Sequence, residues 1–219
     1  ISINSKLEHI HKYSFLKTSI SNISIPSTTI IDELSFEETV IITMISRTND
    51  QRQSISNEKI IQECKKKADE GDIESMKNYA TMLYYGYGVP KNKQESSIYY
   101  KNASDKGDIE STFMYGAILY LGEGIPSNKA ESSVYFKRAA DQGHIESIVK
   151  YANMLYEGDG ISINKKESSV YFKLAADQGH AESIFKYAKM LYEGEEIEMN
   201  KEEAARYFKL SINKGNTRS

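Results

Sequence analysis

The chain has 219 residues, 39% hydrophobic and 27% charged, with a net charge of −3 and a single cysteine, Cys64. That balance fits a soluble protein, and nothing global in it points to nucleic acid or an anionic membrane as a partner. No apolar run nears the roughly 20 residues that cross a bilayer, and one cysteine makes no internal disulfide, which points to a reducing, cytoplasmic setting.

A chain that starts at Ile1 rather than Met is expected to be a fragment, so the lack of a signal peptide says little. Residues 1–34 are rich in Ser, Ile, Asn and Thr, and Pro26 interrupts a β-prone run from Ile20 to Ile31. They read as irregular chain or weak strand. His9 and His11 form a His-x-His pair with no Cys or Asp partner nearby, so no metal site is expected. Ser35 and Glu38 make a Ser-x-x-Glu capping box that starts a helix running to about Ile45. The polar run from Arg47 to Ser56 breaks it, and a second helix is predicted over about 57–70.

From Gly71 onward one unit recurs. Gly71, Gly107, Gly143, Gly179 and Gly215 stand 36 residues apart, a period that marks a stacked repeat. Four full copies span 71–106, 107–142, 143–178 and 179–214, and 215–219 is a tail. The helix before Gly71 ends in Ala-Asp-Glu-Gly, close to Ala-Asp-Gln-Gly at Gly143. Its Cys64 lies seven residues before its glycine, as Tyr100, Phe136, Phe172 and Phe208 lie before theirs. It reads as a degenerate half repeat, a leading cap over 57–70, with residues 1–56 as an irregular or partly helical N-terminal segment. Burial is the expected role of Cys64, in place of the aromatic core residue.

Each copy reads as two helices. Helix A is predicted over about 72–85, 108–121, 144–157 and 180–193, and helix B over about 93–106, 129–142, 165–178 and 201–214. Asp72, Asp108, His144 and His180 open helix A, and a Glu two residues on favours the positive end of its dipole. Gly86, Gly122, Gly158 and Gly194 close it as left-handed caps. Gly88, Gly124 and Gly160 follow and turn the chain back. The 3.6-residue period puts Ile148, Tyr151, Ala152, Met154 and Leu155 on one face of the third helix A. The small row of Ala80, Gly116, Ala152 and Ala188 lets a neighbouring backbone come close. On helix B, Tyr100, Phe136, Phe172 and Phe208 face inward with Ala139 and Ala175. A two-helix unit cannot bury such a face alone, and stacking buries it in one core: an all-α solenoid of helix-turn-helix repeats.

The string Tyr-Ala-x-Met-Leu-Tyr-x-Gly-x-Gly-Ile, followed by Tyr-Phe-Lys-x-Ala-Ala-Asp-x-Gly, resembles the Sel-one-like repeat, a relative of the tetratricopeptide repeat. The resemblance covers 71–215. It implies a right-handed α/α superhelix and a role as adaptor or scaffold for other proteins. In the fourth copy Glu196 stands where the others have the second glycine, and its Cβ predicts a different turn there. The stretch Ile-Ser-Arg-Thr-Asn-Asp-Gln-Arg-Gln-Ser at 45–54, between two helices, is similar to the end of a protein-kinase C-lobe, with Arg52 matching its arginine. Both prolines of that pattern and its aspartate are missing. The alternative function that this implies is the regulatory repeat tail of a signalling enzyme. The chain itself has no Gly-rich phosphate loop, His-Arg-Asp or Asp-Phe-Gly and so cannot transfer phosphate.

No nucleophile, base and orienting acid come together in any repeat, so no catalytic residue, metal ligand or cofactor is expected, and the chain reads as a non-enzyme. Function is expected where the repeats agree in polarity but differ in identity. The face of helix A opposite the core carries Glu74, Asn78, Thr81 and Tyr85, then Glu110, Met114, Ala117 and Leu121. It continues with Glu146, Lys150, Asn153 and Glu157, then Glu182, Lys186, Lys189 and Glu193. By analogy with tetratricopeptide proteins this face is concave. Tyr84, Tyr120, Tyr156 and Tyr192 run along its edge and either line a peptide groove or pack between adjacent repeats. The stripe loses its charges at Met114, Ala117 and Leu121, an apolar anchor for a protein or peptide segment. Lys150, Lys186 and Lys189 are expected to meet acidic residues of that partner.

Overall fold

The computed structural model describes residues 10–12, 31–34 and 51–213. Its helices are α1 (Gln51–Asp69), α2 (Ile73–Tyr85), α3 (Lys93–Asp105), α4 (Ile109–Leu121), α5 (Lys129–Ala140), α6 (Ile145–Glu157), α7 (Lys165–Asp177), α8 (Ala181–Glu193) and α9 (Lys201–Asn213). The expected helix A and helix B boundaries hold to within a residue or two. Caps are the reason. Asp72, Asp108, His144 and His180 hold extended backbone, and the side chain of each accepts the N–H of the serine three residues on. At the other end Gly86, Gly122, Gly158 and Gly194 take left-handed φ and donate to the carbonyl four residues back.

The chain divides into two units, residues 1–92 and 93–219. In the first, strands β1 (Ile10–Lys12) and β2 (Ile31–Leu34) pair in parallel, Ile10 opposite Ile31 and Lys12 opposite Leu34, with an irregularity at His11. So part of the segment expected to be irregular or weak strand is a short strand pair. The helix expected over Ser35 to Ile45, His9 and most of residues 1–50 lie outside the described residues. Helix α1 begins at Gln51, not near Asn57. Residues 51–56 contain no Gly or Pro, and polar Gln and Arg are good helix formers, so polarity there is no helix break. Helix α1 packs on α2, and the turn between them repeats the later ones: Gly71 N–H donates to Ala68 O at 3.0 Å, as Gly107 does to Ser104 O at 2.9 Å.

In the second unit each helix packs on the next, from α3 on α4 through to α8 on α9. The small row works as expected. A Cβ on Gly116 would lie 3.1 Å from the Phe136 ring and 3.2 Å from Tyr135 Cβ. At Ala152 the buried Ser168 hydroxyl donates to the backbone carbonyl at 2.7 Å. That close approach seals Phe136 and Phe172, which are 1% and 0% exposed, among Ile148, Met154, Leu155 and Ala175. Each helix pair also holds a perpendicular tyrosine pair: Tyr115–Tyr135, Tyr151–Tyr171 and Tyr187–Tyr207, with ring centroids 4.7, 4.9 and 4.9 Å apart.

One turn departs from expectation by staying the same. Gly160 has φ +80, and a Cβ there would sit 2.4 Å from Lys129 Cβ. The equivalent Glu196 nevertheless keeps φ 57, so the fourth turn is not rebuilt. The cost of a left-handed residue is only about 1–2 kcal/mol, less than the stacking it preserves. Glu196→Gly is therefore expected to stabilise the protein by about 0.5–1 kcal/mol, since glycine's entropy loss offsets part of the relief, and a urea midpoint that falls would refute the strain. Phe172→Ala is expected to destabilise by about 3–5 kcal/mol and Glu157→Ala by less than about 0.5 kcal/mol. Equal shifts in melting for those two variants would overturn the face assignment.

Candidate partner-binding face

Helix A presents its non-core face at four heights. Glu110, Glu146, Glu182, Leu121, Glu157 and Glu193 at its ends are exposed, and Met114, Ala117, Lys150, Asn153 and Lys186 in its middle are half-buried. Leu121 is the most open of the large apolar residues on this face, at 60% exposure. In the first unit Tyr85 is exposed and stacks on Tyr87 at 5.1 Å, and Asn78 is half-buried. Thr81 does not belong to the open face: it is 3% exposed, its hydroxyl satisfied by Lys77 O at 2.9 Å. A hydroxyl bonded to its own helix is cheap to bury, so a polar residue here gives no sign of exposure.

Two of the four tyrosines, Tyr120 and Tyr156, link consecutive repeats. The Tyr120 hydroxyl donates to Asp159 in the following repeat, and Lys129 completes the group by reaching Asp159 at 2.6 Å. One repeat on, the Tyr156 hydroxyl donates to Glu195 at 2.7 Å, and Lys165 pairs with the same carboxylate. Tyr120 and Tyr156 are half-buried, whereas Tyr192 is 52% exposed and meets Lys201 across its ring at 5.5 Å. Tyr84 is half-buried and packs edge-on against Tyr85. A second link runs along helix B: Tyr171 donates to Asp141 at 2.8 Å and Tyr207 to Asp177 at 3.0 Å.

The lysines differ from one another. Lys186 bonds Asn153 at 2.5 Å and pairs with Glu182 at 3.0 Å. Lys189 pairs with Glu193 at 3.9 Å. Both were expected to be free for a partner, and both already have an acceptor on their own helix, the i,i+4 spacing of a helix surface. Lys150 instead lies over the Tyr120 ring, 3.5 Å from its centroid. His144 caps α6 through Nδ1, so its Nε2 carries the proton and reaches Glu110 at 3.3 Å and Glu146 at 3.4 Å.

Sequence reading missed two recurring sets. Asn128, Asn164 and Asn200 cap helix B through the N–H of Glu131, Glu167 and Glu203, an Asn-x-x-Glu box repeated every 36 residues. The acids of the tyrosine clamp, Asp159 and Glu195, follow the capping glycine by one residue, with a lysine 30 residues upstream. Their fixed position was a readable signal. Cys64 is half-buried, with its thiol against Ser75 O at 3.6 Å and pushed up to about 11 chiefly by burial, so it is no ready nucleophile. Among the described residues no group of His, Cys, Asp and Glu is arranged to hold a metal, and no helix is long and apolar enough to cross a membrane.

The clamp has a pH signature. Lys165 and then the Tyr156 hydroxyl hold the Glu195 carboxyl below its ordinary range, and Lys129 and Tyr120 do the same for Asp159. A depressed folded value adds stability that is present above the ordinary carboxylate range and lost as pH falls through the folded value. Stability is expected to drop from about pH 5 downward, with Asp159→Asn plus Glu195→Gln flattening that drop. Urea midpoints at neutral and acid pH decide it: an unchanged slope in the double variant removes the clamp from the account.

The Sel1 repeat matches the chain four times, at residues 73–108, 109–144, 145–180 and 181–216, about two-thirds of its length. Among curated proteins none matches the chain. A protective antigen of uropathogenic Escherichia coli displaying the SLR fold, c5321, is similar in structure with TM-score 0.71 at 20% identity, covering 82% of this chain and 38% of that one. A Sel1 repeat protein from Oxalobacter formigenes gives TM-score 0.61 at 23% identity over 67% of this chain and 58% of that one. The chain thus spans less than two-thirds of either relative. The kinase-like stretch gains no support: its residues 45–50 lie outside the described residues, Arg52 stands in α1, and the repeat matches begin only at 73. The fold is the all-α solenoid of 36-residue helix-turn-helix repeats, and the chain belongs to the Sel1 repeat family, whose repeats mediate protein–protein interaction and are in general non-catalytic.

Proposed function

We propose that this array is a non-catalytic scaffold that holds a partner protein segment along the helix A face. The observation that carries the reading is the loss of charge in the second repeat. Met114, Ala117 and Leu121 replace the lysines, asparagine and glutamates found in the third and fourth copies, and Leu121 stands 60% exposed. A contiguous apolar group beside half-buried aromatics is the make-up of an interface hot spot. With Tyr120 and Tyr156 tied into the clamps, their rings form a rigid wall rather than free contacts, and rigid walls lower the entropy cost of binding.

Met114→Glu with Leu121→Glu tests this. The double variant is expected to keep its helical circular dichroism signal and to lose partner capture. A folded double variant that retains every partner of the wild type places the site elsewhere, on the loops or the helix B face.

A further inference from the structure

We infer that Lys150 is the point at which the helix A face reads an acidic side chain of its partner, beside Met114, Ala117 and Leu121. The inference rests on the scaffold reading above and names the chemistry of its partner.

The fourth repeat shows what a lysine at this place does when satisfied. Lys186 takes Asn153 from the preceding repeat and Glu182 from its own helix. For Lys150 neither counterpart is available. The residue equivalent to Asn153 is Ala117, which has no acceptor. The residue equivalent to Glu182 is Glu146, which turns to the His144 imidazole. Lys150 therefore makes no hydrogen bond or ion pair among the described residues and rests on the Tyr120 ring.

The charged groups acting on Lys150 are Asp159, Lys129 and Glu157. Lys150 and Lys129 both face Tyr120, at 3.5 and 4.8 Å from its centroid, while Asp159 already accepts from Lys129 and Tyr120. Asp159 and, more weakly, Glu157 act on Lys150 through their charge without a hydrogen bond to it. Partial burial pushes the Lys150 ammonium down from its ordinary value. A half-desolvated cation whose nearby acid, Asp159, is hydrogen-bonded to other groups gains a charge-assisted hydrogen bond when a further carboxylate arrives. Lys150 lies on Tyr120, and Ala117 stands one turn before Tyr120 on α4, on the stripe that continues to Leu121. The favoured partner segment thus has an Asp or Glu next to a large apolar residue.

Displayed libraries of short random peptides, panned against the full chain, test it. Wild-type protein is expected to select peptides with an acidic residue flanking an apolar one, and Lys150→Glu to select Lys or Arg at that position instead. For one synthetic acidic peptide, Lys150→Gln is expected to weaken binding about tenfold. Its Asp→Asn version should bind wild type and variant alike. Peptides that need Met114 and Leu121 but show no acidic preference, and bind Lys150→Glu unchanged, overturn the role of Lys150 and leave the scaffold face standing. Peptides indifferent to all three residues, or no selected peptide at all, overturn both.

Discussion

The second unit depends on how near helix B can come to helix A. At the contact the helix A residue is Gly116 or Ala152, and the space that a larger side chain would take holds the Phe136 ring or the Ser168 hydroxyl. Close packing follows: Phe136 and Phe172 reach 1% and 0% exposure. Burying a phenylalanine stabilises by about 1.5–3 kcal/mol, and one core cluster runs from Phe136 of the second copy to Ala204 of the fourth, so no repeat holds its core alone. Phe136 meets Phe113 and Tyr120 of α4, and Phe172 meets Tyr156 of α6. The tyrosine clamps are a consequence of that approach. Packed at an angle to Phe136 and Phe172, Tyr120 and Tyr156 turn their hydroxyls to the acids of the next turn.

Apolar packing sets helix crossing angles loosely, and the clamps add directional polar links across it. Tyrosine, lysine and carboxylate meet at fixed geometry beside helix A, and Tyr171–Asp141 and Tyr207–Asp177 do so along helix B. Exposed ion pairs contribute little stability, about 0–1 kcal/mol each. Their directionality is their value, because two polar links, one beside helix A and one along helix B, hold an apolar joint against rocking. The capping acids and asparagines are therefore part of the stacking mechanism as well as of the turns.

Helix positions and core residues were legible because they rest on period and on glycine. A glycine every 36 residues and a small-aromatic pattern at 3.6 leave little freedom, and the helices of the four repeats fall within a residue or two of expectation, while α1, which precedes the first glycine, starts six residues early. What was not legible has one physical source, the choice a side chain makes among several neighbours. Lys186 and Lys189 look free on a helical wheel and are paired in three dimensions. Thr81 looks polar and outward, and its hydroxyl turns to its own backbone. Glu196 breaks a glycine rule at a cost smaller than the stacking around it. The tyrosine row was ambiguous between groove and joint because one ring can serve as a wall to both.

The second copy departs from the third on two sides of α4. On the inner face that copy carries Met114, Ala117 and Leu121 in place of charged and amide residues. At its outer joint, Ser104 and Thr112 share a buried hydrogen bond at 2.9 Å and Arg138 reaches Ser104 from the next repeat. The same three positions one repeat on are Ala140, Ile148 and Leu174, all apolar. Polar residues thus replace apolar ones as a matched set, as they must, since a single buried hydroxyl without a partner costs about 1–3 kcal/mol. The copy with the apolar inner face is also the copy with the polar outer joint, and both features bear on α4, the helix whose Tyr120 supports Lys150. The α4 helix is thus fixed by hydrogen bonds on its outer side, which leaves its inner side free to carry side chains that the core does not need.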